Sequence, residues 1–177
     1  LYSKVVNSET RVVTILHASP VTGISVDLEA ISKAVHSIAP EAFIIVDGVQ
    51  YAAHGGINID QYKIDGYAIS PYKMYSRHGY GFAWVSERLT KMSHEQLLEG
   101  PDENWELGTR DTGSYATLSD VVRYLEWLGG KIANSELQSV AISSAAKAIA
   151  AQEKELTELM INGEDNIKGL KDLKGIE

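Results

Sequence analysis

Four apolar runs in the first half of the chain predict the strands of one sheet. Each run is short, rich in β-branched or other apolar residues, and bounded by turn residues. The runs are RVVTILHA at 11–18, EAFIIVDG at 41–48, DGYAIS at 65–70 and GFAWV at 81–85. Between the first two, apolar residues at helical spacing predict a helix from Asp27 to Pro40. Continuous apolar strands that alternate with helices predict an α/β fold with a mainly parallel sheet.

The second half of the chain predicts two long helices. One carries an apolar stripe over 115–128, and Gly129 and Gly130 are expected to end it. The other is expected to begin near Asn134, whose side chain suits a helix N-cap, and to run to about Asn162.

Composition and charge narrow the function classes. The chain has 177 residues, which suits one domain with a sizeable core, and a formal net charge of -8. Its basic residues are scattered, which disfavours a nucleic-acid partner, and no apolar run reaches the length of a membrane span. The chain has no cysteine, which excludes disulfides and thiolate ligands here and fits a cytoplasmic protein. Its histidines show no metal-ligand spacing.

Charged and polar residues follow two of the predicted strands. Asp47 ends the second strand and Ser70 ends the third, with Lys73 three residues later. In open α/β sheets ligands bind outside the carboxyl ends of the strands, so these side chains should face one crevice. Gln50 lies one helical turn after Asp47 and can face the same ligand. Two interpretations remain open. Asp47 and Lys73 either form a structural salt bridge or are two solvated loop residues, or they belong to a ligand site.

The segment VDGVQYAAHGGINIDQYKIDGYAISPYKMYSRHGYGFAWV carries a family pattern. It contains D-x-x-Q after a strand, then S-x-[HY]-K and a glycine-rich turn. The segments VVTILHASPVTG and WELGTRDTGSYATLSDVVRYLEWLG extend the match in the same order. The chain thus resembles class V aminotransferase-type enzymes, which depend on pyridoxal phosphate. That group includes cysteine desulfurases, selenocysteine lyases, isopenicillin-N-epimerase-like proteins and kynureninases.

The resemblance implies a fold and a set of site residues. The fold would be the fold-type I large domain, a three-layer α/β/α sandwich, and the cofactor would be pyridoxal 5'-phosphate. Lys73 would form the internal aldimine, Asp47 would contact the ring nitrogen, and Gln50 would bind the phenolic oxygen. The phosphate would be bound by Ser70 and Tyr72 and, from the neighbouring subunit of a homodimer, by Thr109.

The resemblance also implies a domain organisation and a substrate class. Residues 1–133 would be the central part of the large domain, and 134–177 a long helix leading toward a small C-terminal domain. That small domain and the upstream part of the large domain are expected to lie outside this sequence. The substrate would be an amino acid. Transamination, epimerisation and β-elimination of sulfur or selenium all remain open.

Two alternatives and one departure accompany this interpretation. The chain can be a degenerate relative that folds and dimerises without turnover. Alternatively, Ser70 to Lys73 forms the S-x-x-K of a serine acyl-transfer enzyme, which requires companion S-D-N and K-T-G motifs. The chain has SDV at 119–121 and no K-T-G. The departure is Pro20, where many desulfurase-like relatives carry an asparagine that contacts the cofactor ring region or the substrate.

Overall fold

The chain forms two compact units in a computed structural model that describes residues 2–100, 105–108, 111–135 and 137–175. The first unit comprises Leu1–Ala53 and Ile57–Val121, and the second comprises His54–Gly56 and Val122–Glu177. This division reflects which residues pack together into a compact unit. The domain boundary expected at residue 133 follows family roles instead, and it stays a prediction.

A four-stranded sheet with the order β1-β2-β3-β4 forms the centre of the first unit. Its strands are β1 at Val12–Leu16, β2 at Phe43–Asp47, β3 at Gly66–Ile69 and β4 at Phe82–Val85. The first three strands run parallel and β4 runs antiparallel to β3. The four predicted strands are therefore present, and the α/β fold with a mainly parallel sheet is confirmed.

Short helices connect these strands. They are α1 at Tyr2–Val5, α2 at Leu28–His36, α3 at Ile59–Tyr62, a 3-10 helix at Pro71–Met74 and α4 at Glu87–Thr90. The Asp27 carboxylate caps α2 by accepting from the Ala30 backbone N–H at 2.9 Å. The helix predicted from Asp27 to Pro40 thus forms and ends at His36. Its apolar face buries Leu28 and Val35.

The core of the first unit joins α2 to the two central strands. Fully buried aliphatic side chains from β2 lie among those of α2, and each is worth about 1.5–3 kcal/mol on burial. The buried cluster contains Ile15, Leu28, Val35, Ala39, Ala42, Ile44, Val46, Ile64 and Tyr67. Tyr67 is the one polar aromatic ring in this cluster. The core therefore contains one hydrogen-bonding side-chain group, the Tyr67 hydroxyl, near the carboxyl ends of the parallel strands.

A buried carboxylate ties three parts of the sheet together just before β3. Asp65 accepts hydrogen bonds from the Ile44 backbone N–H at 3.0 Å and from the Ser86 hydroxyl at 2.9 Å. Arg88 donates from Nε at 3.0 Å and from Nη2 at 2.7 Å. Burial by itself raises the pKa of Asp65, but these hydrogen bonds outweigh it and hold the pKa below its usual value. Asp65 is therefore ionised in the folded chain.

Replacing Asp65 by asparagine should destabilise the fold in a pH-dependent way. We expect a loss of about 2 kcal/mol in the free energy of unfolding at pH 7, because hydrogen bonds to a charged group are lost. The folded pKa is lowered, so the ionic contribution is present above the unfolded pKa and disappears as pH falls through the folded value. Urea unfolding at pH 7 and in acid measures this difference.

The matched control is Glu87→Gln, because Glu87 is an exposed carboxylate paired with Lys91. It should change stability little at either pH. A loss for Asp65→Asn that is equal at neutral and acid pH would contradict the assignment of an ionised Asp65.

Two long helices and a small hairpin account for the rest of the structure. The helices are α5 at Thr112–Ala133 and α6 at Gln138–Asn162; the hairpin strands are β5 at Gly163–Glu164 and β6 at Ile167–Lys168, followed by a 3-10 helix at Leu170–Asp172. The predicted end of the second long helix near Asn162 is confirmed. Among the described residues, no helix is long and apolar enough to cross a bilayer.

The predicted boundary between the two long helices is wrong in two respects. Gly129 and Gly130 lie inside α5 and do not end it. A Cβ at Gly129 would overlap the backbone of Ala141, so this glycine permits close approach of α6. Asn134 does not cap α6, which is preceded by Leu137 without a side-chain cap. Asn134 instead has a φ of 48°. This left-handed conformation follows the end of α5.

Alanine substitutions at the two adjacent glycines should have opposite effects on stability. Gly129→Ala should cost about 1–3 kcal/mol, because the new methyl group overpacks the contact with Ala141. Gly130→Ala, which meets nothing within 4 Å, should gain up to about 1 kcal/mol from helix propensity. Thermal unfolding of the two variants provides the comparison. Equal effects would contradict the close contact.

Candidate active site

The carboxyl ends of the parallel strands meet at one edge of the sheet. Leu16 at the end of β1 lies opposite Asp47 at the end of β2, and Asp47 lies opposite Ala68 of β3. The antiparallel β4 starts at the same edge, with Phe82 opposite Ile69. The residues that follow each of the three parallel strands, and the glycine-rich turn before β4, therefore lie at this edge.

The turn after β2 presents Asp47 and Gln50. Asp47 is exposed, and its Oδ1 accepts from the Val49 backbone N–H at 3.0 Å. The Gly48 N–H donates to the Ala68 carbonyl at 2.9 Å, which ties the start of the turn to β3. Asp47 thus keeps carboxylate acceptor capacity beyond the one bond within the turn.

Lys73 lies on the 3-10 helix that follows β3. Its backbone N–H donates to the Ser70 carbonyl at 3.0 Å, and its half-buried side chain reaches across to the turn after β2. There Lys73 Nζ donates to Gln50 Oε1 at 2.7 Å. Of the ion pairs between described residues, none joins Lys73 to Asp47. The amine is therefore held by the neutral amide of Gln50, on the turn that follows Asp47.

Ser70 and Tyr72 flank the same 3-10 helix. The Ser70 hydroxyl makes no capping hydrogen bond to this helix. The exposed Tyr72 ring stacks on His78 with centroids 4.0 Å apart and an interplanar angle of 18°. Lys73 Nζ lies 5.9 Å from the centroid of the Tyr72 ring. Thr109, the remaining predicted site residue, lies outside the described residues.

His17, Tyr51 and Tyr67 form an aromatic cluster next to the backbone of Asp47, and this cluster was not predicted from the sequence. His17 Nδ1 and the Tyr67 hydroxyl are 2.7 Å apart, and each residue is only 3% exposed. Tyr51 stacks on the His17 ring with centroids 3.6 Å apart. A histidine at the end of one apolar strand and a tyrosine inside another were the signals available in the sequence.

Burial keeps His17 and Tyr67 of this cluster neutral. Burial lowers the pKa of His17 to about 4. It also raises the pKa of Tyr67, with smaller contributions from Tyr62, Tyr51 and Asp47. At neutral pH the hydrogen bond therefore joins the Tyr67 hydroxyl to an uncharged imidazole, and the tautomer of His17 determines which of the two groups donates.

The described residues bear on two other kinds of site, a metal centre and a serine acyl-transfer site. Within these residues, no group of three or more histidine, cysteine, aspartate or glutamate side chains is placed to hold a metal ion. The serine acyl-transfer alternative relies on Lys73 to activate Ser70. The Lys73 amine donates to Gln50 instead.

Similar proteins of known family cover parts of the chain. A probable cysteine desulfurase of Mycoplasma pneumoniae is 34% identical over 99 residues, which are 56% of this chain and 24% of that protein. An aminotransferase-like protein of Gibberella zeae is 37% identical over 90 residues, which are 49% of this chain and 22% of that protein. The chain spans about a quarter of the length of these curated relatives.

A solved structure shares the fold, and a family profile covers most of the chain. The apo structure of a cysteine desulfurase from Thermococcus onnurineus aligns with a TM-score of 0.71 at 21% identity. The alignment covers 92% of this chain and 40% of the solved one. The sequence profile described as Aminotransferase class-V matches residues 1–163. The chain therefore belongs to the class V aminotransferase family.

Proposed function

We propose that the chain is part of a pyridoxal-phosphate-dependent enzyme that acts on an amino acid through Lys73. The observation that carries this proposal is the 2.7 Å hydrogen bond from Lys73 Nζ to Gln50 Oε1, at the strand edge where Asp47 is exposed. A primary amine and a neutral amide are thus in contact on the turns that follow β3 and β2, at the edge of an α/β sheet where ligands generally bind. Membership of the class V aminotransferase family supports the same conclusion.

The side chains at this edge fit the groups of pyridoxal phosphate. An aldehyde requires a primary amine, which Lys73 supplies. A protonated pyridine nitrogen requires a carboxylate, which Asp47 supplies, and a phenolic oxygen requires a donor such as the Gln50 amide. The Ser70 and Tyr72 hydroxyls are suited to a phosphate. When bound, the cofactor supplies an electron sink for the bond that breaks at the substrate α-carbon.

The protein residues then have distinct tasks. Lys73 tethers the cofactor and moves a proton at the substrate α-carbon. Asp47 keeps a proton on the ring nitrogen, and Gln50 orients both the amine and the ring oxygen. The stack of His78 on Tyr72 orients the tyrosine ring, whose hydroxyl would bind the phosphate.

The remaining parts of the proposal follow from the family. We infer an amino-acid substrate, a cytoplasmic location, and a homodimer in which Thr109 of one subunit binds the phosphate in the other. The proposed domain organisation is a large domain that includes residues 1–133, followed by a helix leading to a small domain.

Reductive trapping of the cofactor tests this proposal. The full chain is incubated with pyridoxal 5'-phosphate, reduced with borohydride, digested and analysed by mass spectrometry. When less than one equivalent of cofactor per chain is added, we expect a phosphopyridoxyl group on the peptide that contains Lys73. A label distributed over exposed lysines such as Lys33 and Lys91, or no label, would overturn the proposal.

A further inference from the structure

We propose that Tyr67 and His17 are positioning residues for Asp47 and the turn that carries Gln50. The inference rests on the proposed function, in which Asp47 binds the ring nitrogen of the cofactor. It assigns a role to two buried polar residues to which the proposed function gives none. Their contacts reach the active-site turn at three points.

The first point is the backbone of Asp47 itself. The His17 N–H donates to the Asp47 carbonyl at 2.9 Å, so the residue after β1 is tied to the last residue of β2. This bond belongs to the Leu16–Asp47 pair, the last pair of the parallel ladder between β1 and β2. A shift of His17 therefore moves the backbone from which the Asp47 carboxylate projects.

The second point is Gly48, the residue that follows Asp47. A Cβ at Gly48 would overlap the Tyr67 ring, so the ring lies directly against this backbone. The Gly48 N–H is also tied to Ala68, the neighbour of Tyr67 on β3. Tyr67 thus sets how closely the turn can approach the sheet.

The third point is Tyr51, the residue after Gln50. Its ring stacks on His17 with centroids 3.6 Å apart and an interplanar angle of 20°. Since Tyr67 and His17 are joined by a 2.7 Å hydrogen bond, one buried pair supports both ends of the turn from Asp47 to Gln50.

The hydroxyl of Tyr67 is the critical group. It fixes the His17 ring, and without it Nδ1 of a residue that is only 3% exposed would be left unsatisfied. Both partners are neutral at pH 7, so the pair supports Asp47 without adding a charge behind it. The pair thus fixes the backbone from which the Asp47 carboxylate projects, and the carboxylate itself can still pair with a cation.

Tyr67→Phe tests the inference in the cofactor-loaded chain, because it removes one hydroxyl and keeps the ring. We expect affinity for pyridoxal 5'-phosphate to fall about fivefold, as for the loss of one net hydrogen bond. The visible band of the bound cofactor should also titrate at higher pH. The reason is that a less firmly held ring nitrogen withdraws less charge. A purely structural role would leave this pH profile unchanged.

Tyr62→Phe is the matched control. The Tyr62 ring meets His17 edge-on with centroids 5.8 Å apart, and its hydroxyl accepts from the Asn58 N–H. Affinity and pH profile should stay close to wild type in this variant. Equal behaviour of Tyr67→Phe and Tyr62→Phe would overturn the inference. If Tyr67→Phe does not fold, two variants of His17 replace it in the test. His17→Asn keeps a hydrogen-bonding side chain and should bind the cofactor better than His17→Leu. Equal binding by these two variants would overturn the inference.

Hydrogen exchange separates this inference from the proposed function. In the cofactor-free chain, Tyr67→Phe should accelerate exchange of the His17 and Gly48 amides, and Tyr62→Phe should not. If wild-type chain gives no label on Lys73, the proposed function fails. The exchange rates then still decide whether the Tyr67–His17 pair positions the backbone at Asp47, and unchanged rates would refute that.

Discussion

Replacing Lys73 by alanine should abolish borohydride-stable labelling by pyridoxal phosphate at this site. The reason is that the proposed tether is the Lys73 amine, held by Gln50 Oε1 at 2.7 Å. We also expect the exchange of amino-acid α-protons with solvent deuterium to slow by on the order of 10²–10⁴-fold, the usual contribution of a positioned acid–base group. Mass spectrometry measures the label and proton NMR measures the exchange.

The control for this variant is Lys33→Ala. Lys33 is an exposed lysine in the last turn of α2, where alanine is a good helix former. Label and exchange rate should both match wild type. If Lys73→Ala retains a stoichiometric label on another lysine and exchanges α-protons at the wild-type rate, Lys73 is not the tether.

Asp47→Asn should give the second large effect. Asparagine keeps the shape of the side chain but cannot hold a proton on the pyridine nitrogen, because it carries no negative charge. We expect α-proton exchange to slow by on the order of 10²–10³-fold, comparable to the loss of one preorganised electrostatic contact. The Lys73 label should persist, since the amine is held by Gln50. The two variants therefore differ in their labelling.

Asp60→Asn serves as the comparison for Asp47→Asn. Asp60 is an exposed aspartate in the first turn of α3. Its replacement should leave both label and exchange rate unchanged. A rate for Asp47→Asn within a few-fold of wild type would mean that the carboxylate does not contact the ring nitrogen.

The sequence was sufficient to predict the sheet and the edge where Asp47 and the residues after β3 lie. β-branched runs and their turn residues are local signals, and the rule for carboxyl ends of parallel strands placed Asp47 and Lys73 at one edge. The choice between a salt bridge and a ligand site depends on side-chain contacts between distant segments, such as the hydrogen bond from Lys73 to Gln50 across 23 residues of sequence separation, and the ligand site stays a proposal. Local patterns do not encode such contacts.

The errors have the same origin. Gly129 resembled a helix terminator because glycine is common at helix ends. The glycine is instead explained by the close approach of the Ala141 backbone, which leaves no room for a Cβ at position 129. The His17–Tyr67 hydrogen bond joins residues 50 positions apart, so neither residue stood out from its apolar strand. Close packing and buried hydrogen bonds between distant segments are tertiary properties, and they override local preference.

The contact between Gly48 and the Tyr67 ring limits how this family member can diverge. A side chain at position 48 requires the space that the ring fills, so the two positions should change together, with any larger residue at 48 accompanied by a smaller one at 67. Close homologues that keep tyrosine at 67 should keep glycine at 48. Homologues that lose both should have lost the histidine partner at position 17 as well, and with it this means of aiming the aspartate.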